Sequence, residues 1–252
     1  MINILLSGAN GKMGQAVTRA AEQSDQVTIT AGFDINTEQK AGFPVYDDLS
    51  QLEEPVDVII DFSHPALLDR LLDYAVENSI PAVICTTGLS TDQLSRLEYE
   101  AKNVPIFFSA NMSLGVNLLI DLVCRAAKIL ENNFDIEIIE KHHNQKLDAP
   151  SGTALAIADA IAETVSYPAE YTYDRHSVRK KRDKQEIGIH AVRGGTIVGE
   201  HEILFAGTDE VISLKHSANS KEVFAVGAVR AAVFLKEQKP GMYAMKDLIA
   251  QS

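Results

Sequence analysis

The chain has 252 residues, 46% of them hydrophobic and 23% charged, an ordinary globular composition that excludes disordered, collagen-like and low-complexity architectures. Its 23 basic and 35 acidic residues sum to a net charge of −12, which excludes nucleic acid and anionic membrane as default partners, because both are captured by basic surfaces. Two cysteines, Cys85 and Cys124, cannot build a disulfide framework; with no signal-peptide pattern and no apolar run near the roughly 18 residues of a membrane span, the chain is expected to be soluble and cytoplasmic.

The apolar run Ile2 to Leu6 meets Gly8-Ala9-Asn10-Gly11-Lys12-Met13-Gly14 and then a helical pattern through Val17, Ala20 and Ala21. This predicts strand, glycine turn and helix. A second strand, Val27 to Phe33, ends at Asp34, and a third, Val56 to Phe62, ends at Ser63-His64-Pro65. Helical spacing follows at Leu67, Leu68, Leu71, Leu72 and Ala75. Strands at Pro81–Cys85 and Val104–Phe108 flank a helix around Leu94 and Leu97. Buried strands alternating with amphipathic helices predict a Rossmann-like, doubly wound parallel sheet.

After Asn111 the pattern changes. A helix near 116–130 leads into Phe134–Glu140, a strand with interleaved charges, and a helix near 153–163 follows. Runs near Ala191–Val192, Thr196–Leu204 and Glu210–His216 read as antiparallel strands, so residues 112–221 are expected to form an α+β domain with a largely open mixed sheet. The helical segment Val223 to Leu235 is expected to return to the first domain, which then comprises 1–111 and 222–252.

The glycine turn sits between a strand and a helix start, and an acid closes the next strand, which is the context that dinucleotide binding requires. Gly8, Ala9, Asn10, Gly11, Lys12 and Met13 are therefore candidate cofactor contacts. Asp34 is placed to accept from an adenosine ribose and to repel a 2′-phosphate. NADH is expected to be preferred; Lys12 is within reach of a 2′-phosphate, so NADPH is expected to be tolerated. Cys85-Thr86-Thr87 and Ser109-Ala110-Asn111-Met112 occupy carboxyl ends of later strands, where the nicotinamide side would lie.

The densest reactive cluster is Glu140-Lys-His-His-Asn-Gln-Lys-Leu-Asp-Ala-Pro-Ser-Gly-Thr-Ala154. His142 and His143 diverge on an extended strand, so they should do separate jobs. Lys146 can share a site with His142 once the strand ends. Ser151-Gly152-Thr153 supplies capping groups and amides at a helix start, an arrangement that binds carboxylates. A metal at His142, His143 and Asp148 is disfavoured by the diverging rings and the cation of Lys146, and none is expected. The basic run Arg175 to Lys184 reads as a solvated loop, with steering of an anion as a weaker role.

These residues resemble the 4-hydroxy-tetrahydrodipicolinate reductase (dihydrodipicolinate reductase) family over essentially the whole chain. The cluster from Glu140 to Ala154 carries the likeness, supported by Gly8–Gly14, Val192–His201 and Gly227–Ala232. The resemblance implies an oxidoreductase of lysine and diaminopimelate biosynthesis, with hydride delivered from NAD(P)H to C4 of a cyclic imine dicarboxylate. It implies His142 as the proton donor or acceptor and Lys146 as a proton donor. It also implies His143, Gly152 and Thr153 as substrate contacts, and a homotetramer assembled through the second domain. Where the family often has a Gly-Glu-Arg-x-Pro-Gly turn this chain has Lys180 to Gln185, and it has Ile35 where an Arg often follows the acid. A dehydrogenase of another small carboxylic acid and a non-enzymatic NADH sensor are the alternatives; the first would not need the His142–Lys146 loop, and the second would tolerate its loss.

Overall fold

Short apolar runs and amphipathic helices alternate from the first residues. β1 (Ile2–Ser7), α1 (Lys12–Glu22), β2 (Val27–Phe33), β3 (Val45–Tyr46), β4 (Val58–Asp61), α2 (Leu68–Glu77), β5 (Ala82–Ile84), α3 (Thr91–Glu100) and β6 (Pro105–Phe108) follow one another in the computed structural model, which describes residues 1–251. Leu68, Leu71, Leu72 and Ala75 form the buried stripe of α2, and a capping box of Ser90 and Gln93 opens α3.

A second compact unit runs from Gly115 to Lys221. It contains α4 (Leu114–Leu130) apart from that helix's first residue, then β7 (Asp135–His142), α5 (Gly152–Thr164), β8 (Glu170–Thr172), β9 (Glu186–Arg193), β10 (Gly199–Ala206) and β11 (Val211–Ala218). The strand order is β11-β10-β7-β9-β8. β10 pairs antiparallel with both β7 and β11, as the sequence pattern predicts. β9 departs from that expectation: it runs parallel to β7 and to β8, and it begins at Glu186. The reason is two crossovers, through α5 to β8 and through residues 173–185 to β9, each of which returns the chain to the same end of the sheet. Leu119, Val123, Ile157 and Ile161 from the two helices cover one face, whose inward row includes Ile136, Ile138, Ile187, Ile189, Ile203 and Phe205.

α6 (Glu222–Lys236), β12 (Gly241–Tyr243) and α7 (Met245–Ala250) rejoin residues 1–114 in the first unit. Ala225, Ala228, Ala231 and Ala232 let α6 sit closely in the core with Ile4, Leu6 and Ile60. The seven-stranded sheet has the order β12-β6-β5-β4-β1-β2-β3, parallel throughout. β3 and β12, two and three residues long, carry too little alternation to be read from sequence.

The basic run from Arg175 to Lys184 is an exposed loop, as the sequence predicts, but three of its cations are tied to the sheet beside it. Arg182 donates to Asp135 (3.0 Å), to Glu137 (3.0 Å), to the carbonyl of Ile136 (3.0 Å) and to that of Glu186. Arg175 bridges Glu137 (2.7 Å) and Glu186 (2.5 Å), and Lys180 reaches Asp183 and Glu186. Arg175 holds the buried Glu186 carboxyl down to about 2, against the opposing effect of burial. These cations are consumed by acids on β7 and β9. Arg182→Ala is expected to lower the unfolding free energy by about 1–3 kcal/mol, because it removes the donor to Asp135 and to the Ile136 and Glu186 carbonyls, whereas exposed Lys181→Ala should change it by less than about 0.5 kcal/mol in urea titrations. Equal effects would show that Arg182 anchors nothing.

Candidate active site

In the first unit, Gly8 takes φ +76°, and a Cβ there would sit 2.6 Å from the Phe62 carbonyl oxygen. A Cβ on Gly14 would meet the Gly8 carbonyl oxygen at 2.2 Å, so α1 can start this close to β1 only with glycine. Gly11 caps α1 without a side-chain bond and no acid lies in its first turn, so the helix start can accept phosphate. Asp34 accepts the Asn10 amide (2.9 Å) and the Asn36 amide (3.0 Å), which fixes its carboxylate at the rim of a cavity of about 380 Å³. Gly8, Gly11, Ile35, Ser63 and His64 also line that cavity. The Ser63 hydroxyl is buried without a partner among the described residues. A glycine-lined phosphate seat, a fixed carboxylate and a largely apolar cavity fit an adenine dinucleotide. Lys12 and Ile35 are exposed beside it, and Lys40 is paired with Glu38 (3.4 Å).

The later turns of this unit are built on Asp61, which is fully buried at the end of β4. Its carboxylate accepts the Thr86 hydroxyl (2.6 Å) and the Ser63 amide (3.1 Å). Burial and then Asp61 push the Cys85 thiol well above its ordinary value, so only the Cys85 main chain can serve a ligand. Thr87 is exposed, Ser109 donates to the Asn111 carbonyl (3.0 Å), and the Ala9 and Met112 side chains lie in the core.

In the second unit the two-residue rhythm of the strands carries the chemistry. Ile136 and Ile138 put their side chains into the core, and the next two positions on the same face are Glu140 and His142. On β10 the row is Phe205, Ile203 and His201, and Glu140, His201 and His216 lie opposite one another on β7, β10 and β11. β9 adds Arg193, opposite His142. One edge of an apolar face therefore becomes a polar crown.

Glu140 is fully buried and compensated from three sides. Arg193 grips it with two bonds of 2.8 Å, the Ser151 amide donates at 3.0 Å, and His142 Nδ1 lies 2.7 Å from its Oε2. Burial alone would raise its pKa; Arg193, His142 and the Ser151 amide outweigh it and hold the carboxyl below its ordinary value. A carboxylate can only accept, so His142 carries its proton on Nδ1 and turns Nε2 away. Gly199 gives Nε2 room, since a Cβ there would sit 3.1 Å from it.

Ser151 Oγ caps α5 by accepting the Ala154 amide (3.2 Å), with Gly152 exposed at the helix head and Thr153 half-buried beside it. Lys146 lies 2.9 Å from Asp148, and its amide donates to the His143 carbonyl (3.2 Å). His143 lies just beyond the end of β7, and its Nδ1 is buried without a partner among the described residues. Arg193, Glu140 and His201 were not among the residues the sequence singled out as functional. Glu140 is two residues from His142 on a strand and so shares its face, a signal available in the sequence; Arg193 and His201 arrive from distant strands. Among the described residues no group of three or more His, Cys, Asp or Glu side chains could hold a metal ion.

Comparison with known proteins tiles the chain with two family models: "Dihydrodipicolinate reductase, N-terminus" over residues 2–112 and "Dihydrodipicolinate reductase, C-terminus" over residues 115–249. A 4-hydroxy-tetrahydrodipicolinate reductase of Caldanaerobacter subterraneus subsp. tengcongensis is 54% identical, over 99% of this chain and 98% of the relative. That of Clostridium tetani is 48% identical, over 99% and 97%. Among solved structures, the dipicolinate-bound dihydrodipicolinate reductase from Paenisporosarcina sp. TG-14 is similar with a TM-score of 0.80 and 27% identity, covering 97% of each chain.

Removing one partner of a buried ion pair leaves the other charge stranded. Glu140→Ala is expected to lower the unfolding free energy by about 3–5 kcal/mol in a urea titration. A loss below about 1 kcal/mol would show that Arg193 and His142 do not depend on it.

Proposed function

The chain belongs to the dihydrodipicolinate reductase family, an oxidoreductase family of lysine and diaminopimelate biosynthesis, and we propose how its own residues carry out the NAD(P)H-dependent reduction of 4-hydroxy-tetrahydrodipicolinate to tetrahydrodipicolinate. The observation that carries the reading is the Glu140–His142 pair beside the capped head of α5, because it joins a proton donor to a carboxylate seat.

A bound reduced nicotinamide dinucleotide supplies the hydride for C4. Residues 8–13 and Asp34 hold it at the phosphate and ribose, with Thr86, Thr87, Ser109 and Asn111 and the main chain of Cys85, Ala110 and Met112 at the nicotinamide side. The 4-hydroxyl first leaves as water together with a proton from a neighbouring carbon, which gives the conjugated imine, and hydride addition at its C4 then requires one proton at the neighbouring carbon. His142 delivers it from Nε2 while Glu140 steadies the ring through Nδ1, an arrangement supported by the 2.7 Å contact. Lys146 protonates the departing hydroxyl and is recharged by the proton that the neighbouring carbon gives up, with its ammonium held 2.9 Å from Asp148. His143 and the Gly152–Thr153 amides take the substrate carboxylates, with the positive end of the α5 dipole adding to the attraction.

NADH is the preferred coenzyme in this reading. The Asp34 carboxylate would repel a 2′-phosphate by about 1–3 kcal/mol at 5 Å in a medium of intermediate dielectric, and exposed Ile35 offers no opposing charge. Lys12 leaves NADPH usable. Assembly through the second unit is supported by half-exposed Val192 and Ile212 on its sheet strands β9 and β11, and the family members expected from the resemblance are tetramers. Among the described residues no helix is long and apolar enough to cross a membrane, and both cysteines are free, which agrees with the cytoplasm as the place of work.

Turnover is measured by supplying aspartate semialdehyde, pyruvate and the upstream synthase and following oxidation of each coenzyme. The wild type should oxidise both, with the higher kcat/KM for NADH. His142→Ala and Lys146→Ala should each lose about 10²–10⁴ in kcat, the range of general acid catalysis. Pyridine-2,6-dicarboxylate, a planar dianion, should compete with substrate. No turnover with either coenzyme would refute the reading, and variants as active as wild type would remove the proton-donor assignment.

A further inference from the structure

His201 has no role in the chemistry above. It is buried at 4% exposure on β10, with Glu140 and His142 of β7 on one side and His216 of β11 on the other. Its ring meets that of His142 edge to face at 5.3 Å between centroids and 72° between planes. Its Nε2 lies 3.1 Å from Ser151 Oγ, the atom that caps α5. Its Nδ1 is buried and has no partner among the described residues.

A stranded polar atom in a protein interior costs about 1–3 kcal/mol, and a phenylalanine would fill the same space without that cost. The imidazole is therefore accounted for by what its other nitrogen does. Ser151 is the joint of the site: its amide donates to Glu140, its hydroxyl caps the carboxylate seat, and that hydroxyl also meets His201. Ser151 is linked to the His142 ring through Glu140 and through His201.

We propose that His201 is a positioning residue for the reduction, fixing the Ser151 hydroxyl at the head of α5 with Nε2 and bracing the His142 ring with its edge. The proposal rests on the functional reading above. Burial, reinforced by the charge of His142, pushes the His201 pKa down to about 4, so the ring stays neutral at working pH. A neutral ring can brace His142 without competing with it for the proton.

Two substitutions separate the two contacts. His201→Phe keeps the ring against His142 and loses the bond to Ser151; His201→Gln keeps a hydrogen-bonding group near Nε2 and loses the ring. Calorimetry with pyridine-2,6-dicarboxylate, steady-state kinetics and thermal melting are compared with wild type. His201→Phe is expected to weaken dicarboxylate binding and raise KM about 5–10-fold, the worth of one hydrogen bond, with kcat within about twofold. His201→Gln should bind within about twofold of wild type and lose about tenfold in kcat, through a loosened His142. A residue that only fills space would lower the melting temperature and leave Kd, KM and kcat of the folded enzyme unchanged, and that result overturns the proposal. Should His201→Phe not fold, Ser151→Ala carries the same test: it is expected to weaken binding of the dianion at least fivefold, and unchanged affinity overturns the proposal. If the wild type neither binds the dianion nor turns over, the functional reading fails; if it does both and the variants match it, the positioning role alone fails.

Discussion

A carboxylate without water around it is the constraint from which the catalytic end of the second unit follows. Glu140 lies at the point where the apolar inward row of β7 would otherwise continue, and an uncompensated charge there would cost several kcal/mol. The planar fork of Arg193 meets both oxygens, which a lysine could not do. The Ser151 amide and His142 take up the remaining lone pairs. Each of these partners is then held in turn: the imidazole in one tautomer, the serine at the head of α5, and the arginine against the Asp148 carbonyl at 2.6 Å. Stability and the proposed function are linked at this residue, because one of the groups that make its burial tolerable, His142, is the proposed proton donor.

The same local logic answers how a protein of net charge −12 can receive a dianion. The most basic stretch of the chain is not the answer, since Arg175, Lys180 and Arg182 are tied to Asp135, Glu137, Asp183 and Glu186. The groups proposed to receive it are few: Lys146, His143 and the amides at the head of α5. At an ionic strength near 0.15 M the field of surface acids decays over about 8 Å, so groups within a few ångströms of the ligand decide its binding.

Most of the first unit was legible because each element carries its own signal. Leu68, Leu71, Leu72 and Ala75 announce a helix face, and Gly8, Gly11 and Gly14 announce a turn whose geometry admits nothing larger. β3 and β12 were not legible because a strand of two or three residues has no period to read. The reactive loop was legible as a cluster because its members are neighbours in sequence. Its dependence on Arg193 and His201 was not, since that dependence comes from the pairing of β7 with β9 and β10, and pairing over some fifty residues leaves no local trace. The direction of β9 was misread for a related reason: alternation along a strand is the same whichever way its neighbour runs.

The proposed proton transfer requires Glu140 to fix the proton of His142 on Nδ1, with Nε2 left as the reactive nitrogen. Nitrogen-15 NMR of the neutral imidazole in the free enzyme reads this directly. The account predicts a His142 ring with Nδ1 protonated and Nε2 bare in the wild type, and loss of that preference in Glu140→Gln. A wild-type ring protonated on Nε2 would contradict it.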